Sequence, residues 1–127
     1  MSVLPRRDPS APPRVVIVDA DRRVQQSLSD LLCVTGEVEV VGRAGEVRAA
    51  LELVEQQRPD VVLVDPRLPD IEAGLALIAG MSRAWPGMRL VLTGWSDGEQ
   101  FADTVYVSKS ATPEQFADAI VHACCPA

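Results

Sequence analysis

Four side chains of different chemistry stand at the ends of apolar, β-branched segments. Asp19 follows VVIV, Asp65 follows VVLV, Thr93 closes RLVLT, and Lys109 follows VYVS. Two carboxylates, a hydroxyl and an ammonium group suit phosphoryl transfer to an aspartate, because a cation held by the second carboxylate and the ammonium group neutralise charge on the phosphoryl oxygens. Lys109 is also the only lysine in a chain with eleven arginines. These four residues are therefore the candidate site, provided that the fold brings them together.

The sequence around these residues alternates between two kinds of segment. Five runs rich in Val, Ile and Leu are apolar throughout, as expected of parallel strands that are covered on both faces. They span residues 14–19, 38–42, 60–65, 88–94 and 104–108. The segments between them show the apolar spacing of amphipathic helices. This alternation predicts an α/β domain with a doubly wound, five-stranded parallel sheet.

Apolar stripes and terminating residues define the individual helices. The first has Val24, Leu28, Leu31 and Leu32 and can end at Gly36; the second has Val47, Leu51 and Val54 before Pro59; the third has Leu75, Ile78 and Met81 before Pro86. The last helix is predicted to begin with a capping box at Thr112-Pro113-Glu114-Gln115 and to continue through Phe116, Ile120 and Val121.

The connection between the fourth and fifth strands is short. Ser96 and Glu99 could form a capping box there, but only eleven residues separate Thr93 from Val105. Since a whole β-α-β crossover needs at least roughly 10 to 12 residues, the fourth helix is expected to be reduced to a turn or two, or lost.

The expected sheet also predicts where a ligand binds. In doubly wound sheets, ligands lie beyond the carboxyl ends of the strands, where the strand order reverses. Asp19, Asp65, Thr93 and Lys109 all stand at such ends, so we expect them to converge at one edge of the sheet.

Composition limits the partners that the chain can bind. A length of 127 residues suits one domain, expected over residues 14–125 after a disordered, proline-rich leader of residues 1–13. The net charge is −6, and setting aside the basic first 14 residues leaves −8, so no nucleic-acid partner is expected. No apolar run approaches the roughly 20 residues of a membrane span, so no membrane partner is expected. Cys33, Cys124 and Cys125 form no disulfide or zinc pattern, and a cytoplasmic location is expected.

Four motifs in order resemble the receiver domain of two-component response regulators. They are VVIVDADRRVQQSLSDLL at the first strand and helix, PDVVLVDPRLPD around the third strand, RLVLTG in the fourth strand, and VYVSKSATPEQFADAI over the last strand and helix. The resemblance covers about residues 14 to 124. It implies a flavodoxin-like sheet with the strand order 2-1-3-4-5.

The resemblance also implies roles for particular residues. Asp65 would accept a phosphoryl group from a histidine kinase, a phosphotransfer protein or a small phosphodonor, so the chain would act as a phosphorelay switch and not as an enzyme. Thr93 and Lys109 would be drawn towards the new phosphoryl group, and Tyr106 would follow as the switch aromatic into the space that Thr93 leaves. A downstream protein and a second copy of the chain would be further partners.

One position departs from the pattern of this family. By resemblance, Mg²⁺ would be held by Asp19, Asp65 and the backbone carbonyl of Arg67, together with a second acid directly after Asp19. Ala20 stands at that position. Asp21 could replace the acid only if the turn were reshaped, and it is also a natural N-cap of the following helix. Because Mg²⁺ demands near-octahedral geometry, its binding is expected to be weakened or lost.

Two other functions stay open at this point. The incomplete acidic turn also suits a pseudo-receiver, which would use the same fold as a phosphorylation-independent interaction module. The stretch IVDAD also resembles the Asp-x-Asp start of haloacid-dehalogenase-type phosphatases, in which Asp19 would be the nucleophile and Asp21 the acid/base. Against the phosphatase, Arg23 stands where that family has Thr or Val, and no acidic pair follows Lys109.

Overall fold

Five parallel strands form one sheet in the order β2-β1-β3-β4-β5. The computed structural model describes residues 11–95 and 104–124. Its strands are β1 (Arg14–Val18), β2 (Glu39–Ala44), β3 (Val61–Val64), β4 (Arg89–Gly94) and β5 (Val105–Ser108). Its helices are α1 (Arg22–Thr35), α2 (Val47–Gln57), α3 (Ile71–Ala84) and α4 (Pro113–Cys124). The predicted fold class and strand order are confirmed.

Some predictions concern residues outside the described part of the chain. Ten residues, 95–104, connect β4 to β5, and the expected short fourth helix with its Ser96 and Glu99 cap falls on the undescribed residues 96–103. Most of the expected leader, residues 1–10, and the last cysteine, Cys125, also lie outside it. The label α4 therefore denotes the helix that follows β5.

The sheet separates two apolar core layers. One layer lies between the sheet and helices α1 and α4, and the other lies between the sheet and helices α2 and α3. Val15 and Ile17 of β1 face the first layer, whereas Val16 and Val18 face the second, because successive side chains of a strand point to opposite faces. Covering both faces explains why all four residues of β3 are buried.

The helix ends agree with the sequence prediction. Gly36 ends α1 in the left-handed region with φ 66°, which glycine adopts without a steric penalty. At the start of α4, the amide of Thr112 donates to Gln115 Oε1 at 2.8 Å, and the amide of Gln115 donates to Thr112 Oγ1 at 3.1 Å. This reciprocal pair is the predicted capping box.

The predicted faces of three helices were partly wrong. Leu51 and Leu75 were expected in apolar stripes, but they are 37% and 42% exposed. In α2 the buried positions are Ala50 and Val54, and in α3 they include Gly74 beside Leu77 and Met81. Gly74 is buried because its backbone lies directly against the carbonyl group of Pro66 in the loop after β3, where no side chain fits. Val121 in α4 is likewise 38% exposed.

Candidate functional site

The register of the strands brings the candidate residues to one edge of the sheet. Val18 pairs with Val64, and Val64 pairs with Leu92, so Asp19, Asp65 and Thr93 stand at equivalent places on three adjacent strands. Backbone hydrogen bonds continue beyond the strand ends: the amide of Asp65 donates to the carbonyl of Val18 at 3.0 Å, and the amide of Lys109 donates to the carbonyl of Gly94 at 2.9 Å. Backbone hydrogen bonds of the sheet therefore fix the positions of the residues that carry these side chains.

Lys109 joins the two carboxylates. Its Nζ lies 2.5 Å from Oδ2 of Asp19 and 2.7 Å from Oδ2 of Asp65. The side chains of Lys109 and Asp19 are each 3% exposed and that of Asp65 is 13% exposed. A single buried ammonium group thus forms an ion pair with each of the two carboxylates. Ion pairs removed from water in this way are poorly screened by salt.

The pKa of Lys109 reflects this position. Burial alone lowers the pKa of the ammonium group, since desolvation disfavours its charged form. Hydrogen bonding and the negative charges of Asp19 and Asp65 outweigh this effect and raise the pKa above its usual value. Lys109 is therefore charged at neutral pH.

The two acidic residues in the turn after β1 make different contacts. Asp19 is 2% exposed, and its Oδ1 accepts from the amide of Asp21 at 2.9 Å. The carboxylate of Asp21 is exposed, and its Oδ1 caps α1 by accepting from the amide of Arg23 at 2.8 Å. Ala20 lies exposed between them. The structure thus places Asp19 in the site and uses Asp21 as the predicted N-cap.

Thr93 contributes a buried hydroxyl group. Its side chain is fully buried, and its Oγ1 has no hydrogen-bond partner among the described residues. A buried polar atom left unpaired costs roughly 1–3 kcal/mol, so such atoms are uncommon and call for an explanation. This unpaired hydroxyl belongs to the residue of β4 that corresponds in register to Asp65 after β3.

Tyr106 stands apart from this cluster. It is half-buried against the core layer of α2 and α3, whereas Val107, the next residue of β5, belongs to the other layer. Its hydroxyl lies where a Cβ at Gly94 would be 2.9 Å away. The hydroxyl end of the ring thus lies beside Gly94, the residue after Thr93, on the opposite face of the sheet from Val107.

Two residues near the site were not predicted as part of it. Trp95 is 70% exposed, with its ring centroid 5.5 Å from Nζ of Lys109, a distance at which a cation is attracted to an aromatic face. Gln25 is 8% exposed and donates from Nε2 to the backbone carbonyl of Asp19 at 2.7 Å. The sequence carried a signal for Gln25, because it stands three residues before Leu28 on the buried face of α1.

The donor set does not fit the magnesium site that the resemblance implies. Both Oδ2 atoms of Asp19 and Asp65 are bound to Lys109, and Oδ1 of Asp65 accepts from the amide of Arg67 at 3.0 Å. The third acid is replaced by Ala20. Within residues 11–95 and 104–124, no group of three or more His, Cys, Asp or Glu side chains could hold a metal ion. Two carboxylates already neutralised in part by an ammonium group attract a divalent cation weakly.

The described helices offer no segment that could cross a membrane; each is too short or too polar.

A cavity of about 440 Å³ lies at the opposite end of β4 and β5 from the carboxylates, where it is bordered by Met88, Val105 and His122. This cavity adds no residue to the site at the carboxyl ends of the strands.

Comparison with protein families gives a match over most of the chain. The model of the response regulator receiver domain matches residues 15–120. The chain is 37% identical over 98 residues to the DNA-binding transcriptional activator DevR/DosR of Mycobacterium tuberculosis, which covers 76% of this chain and 45% of that protein. It is 38% identical over 82 residues to protein-glutamate methylesterase/protein-glutamine glutaminase 3 of Myxococcus xanthus, covering 65% of this chain and 23% of that protein. The chain thus spans less than half the length of either relative.

Solved structures show the same fold. The signal receiver domain of the putative response regulator NarL from Mycobacterium tuberculosis superposes with a TM-score of 0.73 at 26% identity, covering 89% of this chain and 96% of that one. The non-phosphorylated receiver domain of RcsB from Escherichia coli superposes with a TM-score of 0.77 at 19% identity, covering 88% and 92%. At that lower identity the second likeness concerns the fold alone.

Proposed function

Because the chain belongs to the receiver-domain family of two-component response regulators, we propose that it is switched by phosphorylation of Asp65. The observation that carries this proposal is the placement of Asp65 at the end of β3, within 2.7 Å of the ammonium group of Lys109. A carboxylate held at a strand end by a cation is positioned to attack phosphorus, and that cation remains to neutralise the product.

The residues around Asp65 have separate tasks in this reaction. The amide of Arg67 donates to Oδ1 of Asp65 at 3.0 Å, and the ammonium group of Lys109 donates to Oδ2 at 2.7 Å, so both oxygens are held in place. Lys109 stabilises negative charge on the phosphoryl oxygens, and the hydroxyl of Thr93 donates to one of them. These roles need no proton to be removed from Asp65, because a carboxylate attacks in its ionised form.

The new group would also drive the switch. A phosphoryl group carries more negative charge and more acceptor oxygens than the carboxylate it modifies. We propose that it draws in Lys109 and the unpartnered hydroxyl of Thr93. Gly94 follows Thr93 directly and lies beside the hydroxyl end of the ring of Tyr106, so a displacement of the Thr93 backbone changes the surface beside that ring. The position of Tyr106 would therefore depend on whether Asp65 is phosphorylated, and a partner that contacts this ring could distinguish the two states.

Receiver domains interact with histidine kinases, and we propose a histidine kinase or a phosphotransfer protein as the source of the phosphoryl group. A downstream protein would read the switched state, and a second copy of the chain is a further candidate partner. The acidic charge of −6 supports neither a nucleic-acid nor a membrane partner for this domain. We place the chain in the cytoplasm and assign it no enzymatic turnover of its own.

The test of this function is incubation of the chain with acetyl phosphate and MgCl₂, followed by intact-mass measurement. We expect a gain of one phosphoryl group that disappears in the Asp65→Asn variant. The Asp118→Asn variant is the matched control, because Asp118 is an exposed acid on α4 away from the strand ends; it should gain the same mass as the wild type. No gain in the wild type, whether MgCl₂ is present or absent, would refute the proposal and leave a phosphorylation-independent module.

The phosphatase alternative has no support from the fold or from the comparisons. Asp21, its required acid/base, caps α1 with its carboxylate and lies exposed. The pseudo-receiver alternative differs from the proposed function only in whether Asp65 takes a phosphoryl group, and the mass measurement separates the two.

A further inference from the structure

We infer that phosphorylation of Asp65 in this chain does not require a divalent cation, because Lys109 already supplies the charge at the place where a metal would act. This inference rests on the proposed role of Asp65 as phosphoacceptor. It goes beyond weakened metal binding, since it concerns whether the reaction itself depends on the metal.

The charge of the site supports the inference. Asp19 and Asp65 contribute two negative charges, and Lys109 contributes one positive charge within 2.7 Å of both. The net charge of this cluster is therefore −1. A further acid in place of Ala20 would make it −2, and a divalent cation would then neutralise it. The present cluster attracts the same cation only about half as strongly, because the Coulomb energy is proportional to the charge of the cluster.

The geometry leads to the same conclusion. The ammonium group of Lys109 touches one oxygen of each acid, and the other oxygen of each acid accepts from a backbone amide, that of Asp21 or Arg67. A cation that entered would have to displace Lys109, which its two ion pairs hold in a largely water-free position. Such a displacement would leave the buried ammonium group of Lys109 without its carboxylate partners, which is unfavourable.

The transfer step is balanced without a metal. With acetyl phosphate as the donor, an Asp65 carboxylate oxygen forms a bond to phosphorus while the bond between phosphorus and the acetate oxygen breaks. Acetate leaves with that electron pair, and no proton is transferred. Two groups then face the phosphoryl oxygens: the ammonium group of Lys109, which has three N–H donors, and the hydroxyl of Thr93, which has no partner among the described residues.

The experiment compares rates of phosphorylation with and without metal. The 127-residue chain is stripped of metal with EDTA and incubated with acetyl phosphate, either in EDTA or in excess MgCl₂, and the mass gain is followed over time. If a metal stabilised the transition state, its removal would slow the reaction roughly 100-fold or more, because a Lewis acid at a phosphoryl oxygen contributes at least that much. We expect the two rates to differ by less than about threefold.

The Ala20→Asp variant is the matched control, since it restores the missing acid at an exposed position. Its phosphorylation should depend strongly on MgCl₂. Were the wild type labelled only with MgCl₂, the inference would be overturned while the proposed function would stand. Labelling of neither protein under either condition would overturn the proposed function itself. An Ala20→Asp variant as indifferent to MgCl₂ as the wild type would refute the charge argument.

A binding measurement tests the same point without phosphorylation. Trp95 lies 5.5 Å from Nζ of Lys109 and serves as a fluorescent reporter once Trp85 is replaced by Phe. Titration with MgCl₂ should leave the emission of the Trp85→Phe protein unchanged and should alter that of the protein that also carries Ala20→Asp. A saturable change in the protein that retains Ala20 would contradict the inference.

Discussion

Replacing Lys109 by Met removes the one ammonium group that joins Asp19 and Asp65. Methionine has a similar length and no charge, so the packing of the side chain changes little. The two acids, whose side chains are 3% and 13% exposed, would then face each other without a counter-ion. Removing one partner of a buried ion pair costs roughly 3–5 kcal/mol, and we expect a loss of about 4 kcal/mol in the free energy of unfolding. That is a large part of the roughly 5–15 kcal/mol by which domains are stable.

Urea unfolding at pH 7, followed by circular dichroism, measures this loss. With a slope of about 1.5 kcal/mol per molar urea, a loss of about 4 kcal/mol moves the midpoint by roughly 2.7 M. The raised pKa of Lys109 matters here, because the ammonium group stabilises the fold only while it is charged. This contribution is fully present below the pKa of an unfolded lysine, 10.5, and is lost as pH rises through the higher folded pKa. At pH 7 the whole effect is therefore measured.

A double-mutant cycle separates charge from packing. In the wild type, Asp65→Asn removes one ion pair and should destabilise the chain. In the Lys109→Met background the same change removes a like-charge repulsion and should stabilise it. Mg²⁺ should also raise the stability of Lys109→Met and leave that of the wild type unchanged, because only the variant lacks a resident cation. The reasoning is refuted if Lys109→Met lies within about 1 kcal/mol of the wild type, the usual range for exposed ion pairs, or if Asp65→Asn has the same sign in both backgrounds.

Three further substitutions test the packing around the site. Gly74→Ala should destabilise the chain by at least about 3 kcal/mol, the upper end for overpacked cores, because its Cβ would lie 1.4 Å from the carbonyl oxygen of Pro66; thermal unfolding measures the loss. Gly80→Ala in the same helix has nothing within 4 Å and should instead stabilise it by up to about 1 kcal/mol, and a loss there would contradict this account. Gly94→Ala should displace Tyr106, whose hydroxyl would lie 2.9 Å from the new Cβ; the ¹⁹F resonance of fluorotyrosine at this single tyrosine should shift, and an unchanged resonance would count against the contact.

The strand ends were predictable because they are strongly encoded in the sequence. An apolar β-branched run that stops at a charged residue marks the point where a buried strand leaves the core. Once the strands are parallel and adjacent, their carboxyl ends must share an edge. Asp19, Asp65 and Lys109 could thus be placed together although up to 90 residues separate them. The capping roles of Asp21 and Thr112 were predictable for the same local reason.

The helix faces were harder to predict because they depend on distances between elements. Size and spacing favoured Leu51 and Leu75, yet these two leucines are exposed and their smaller neighbours Ala50 and Gly74 are buried. Gly74 lies so close to the backbone of Pro66 that no side chain fits between them. The spacing of apolar residues does not show how close a helix lies to a neighbouring loop. It therefore cannot identify small residues that are buried against the backbone of that loop.

The contact between Lys109 and two acids could not be predicted either, but its cause was visible in the sequence. Receiver-like motifs predict one lysine near several acids, which leaves open whether a metal or the lysine takes their oxygens. In this chain Ala20 removes one acid, and Asp21 is committed to the start of α1. A single ammonium group, which has three N–H donors, can bind the two remaining carboxylates at the same time. The missing acid and the bridging lysine are therefore linked by charge balance. If that link holds, restoring an acid at position 20 should loosen the hold of Lys109 on Asp19 as well as create a demand for metal.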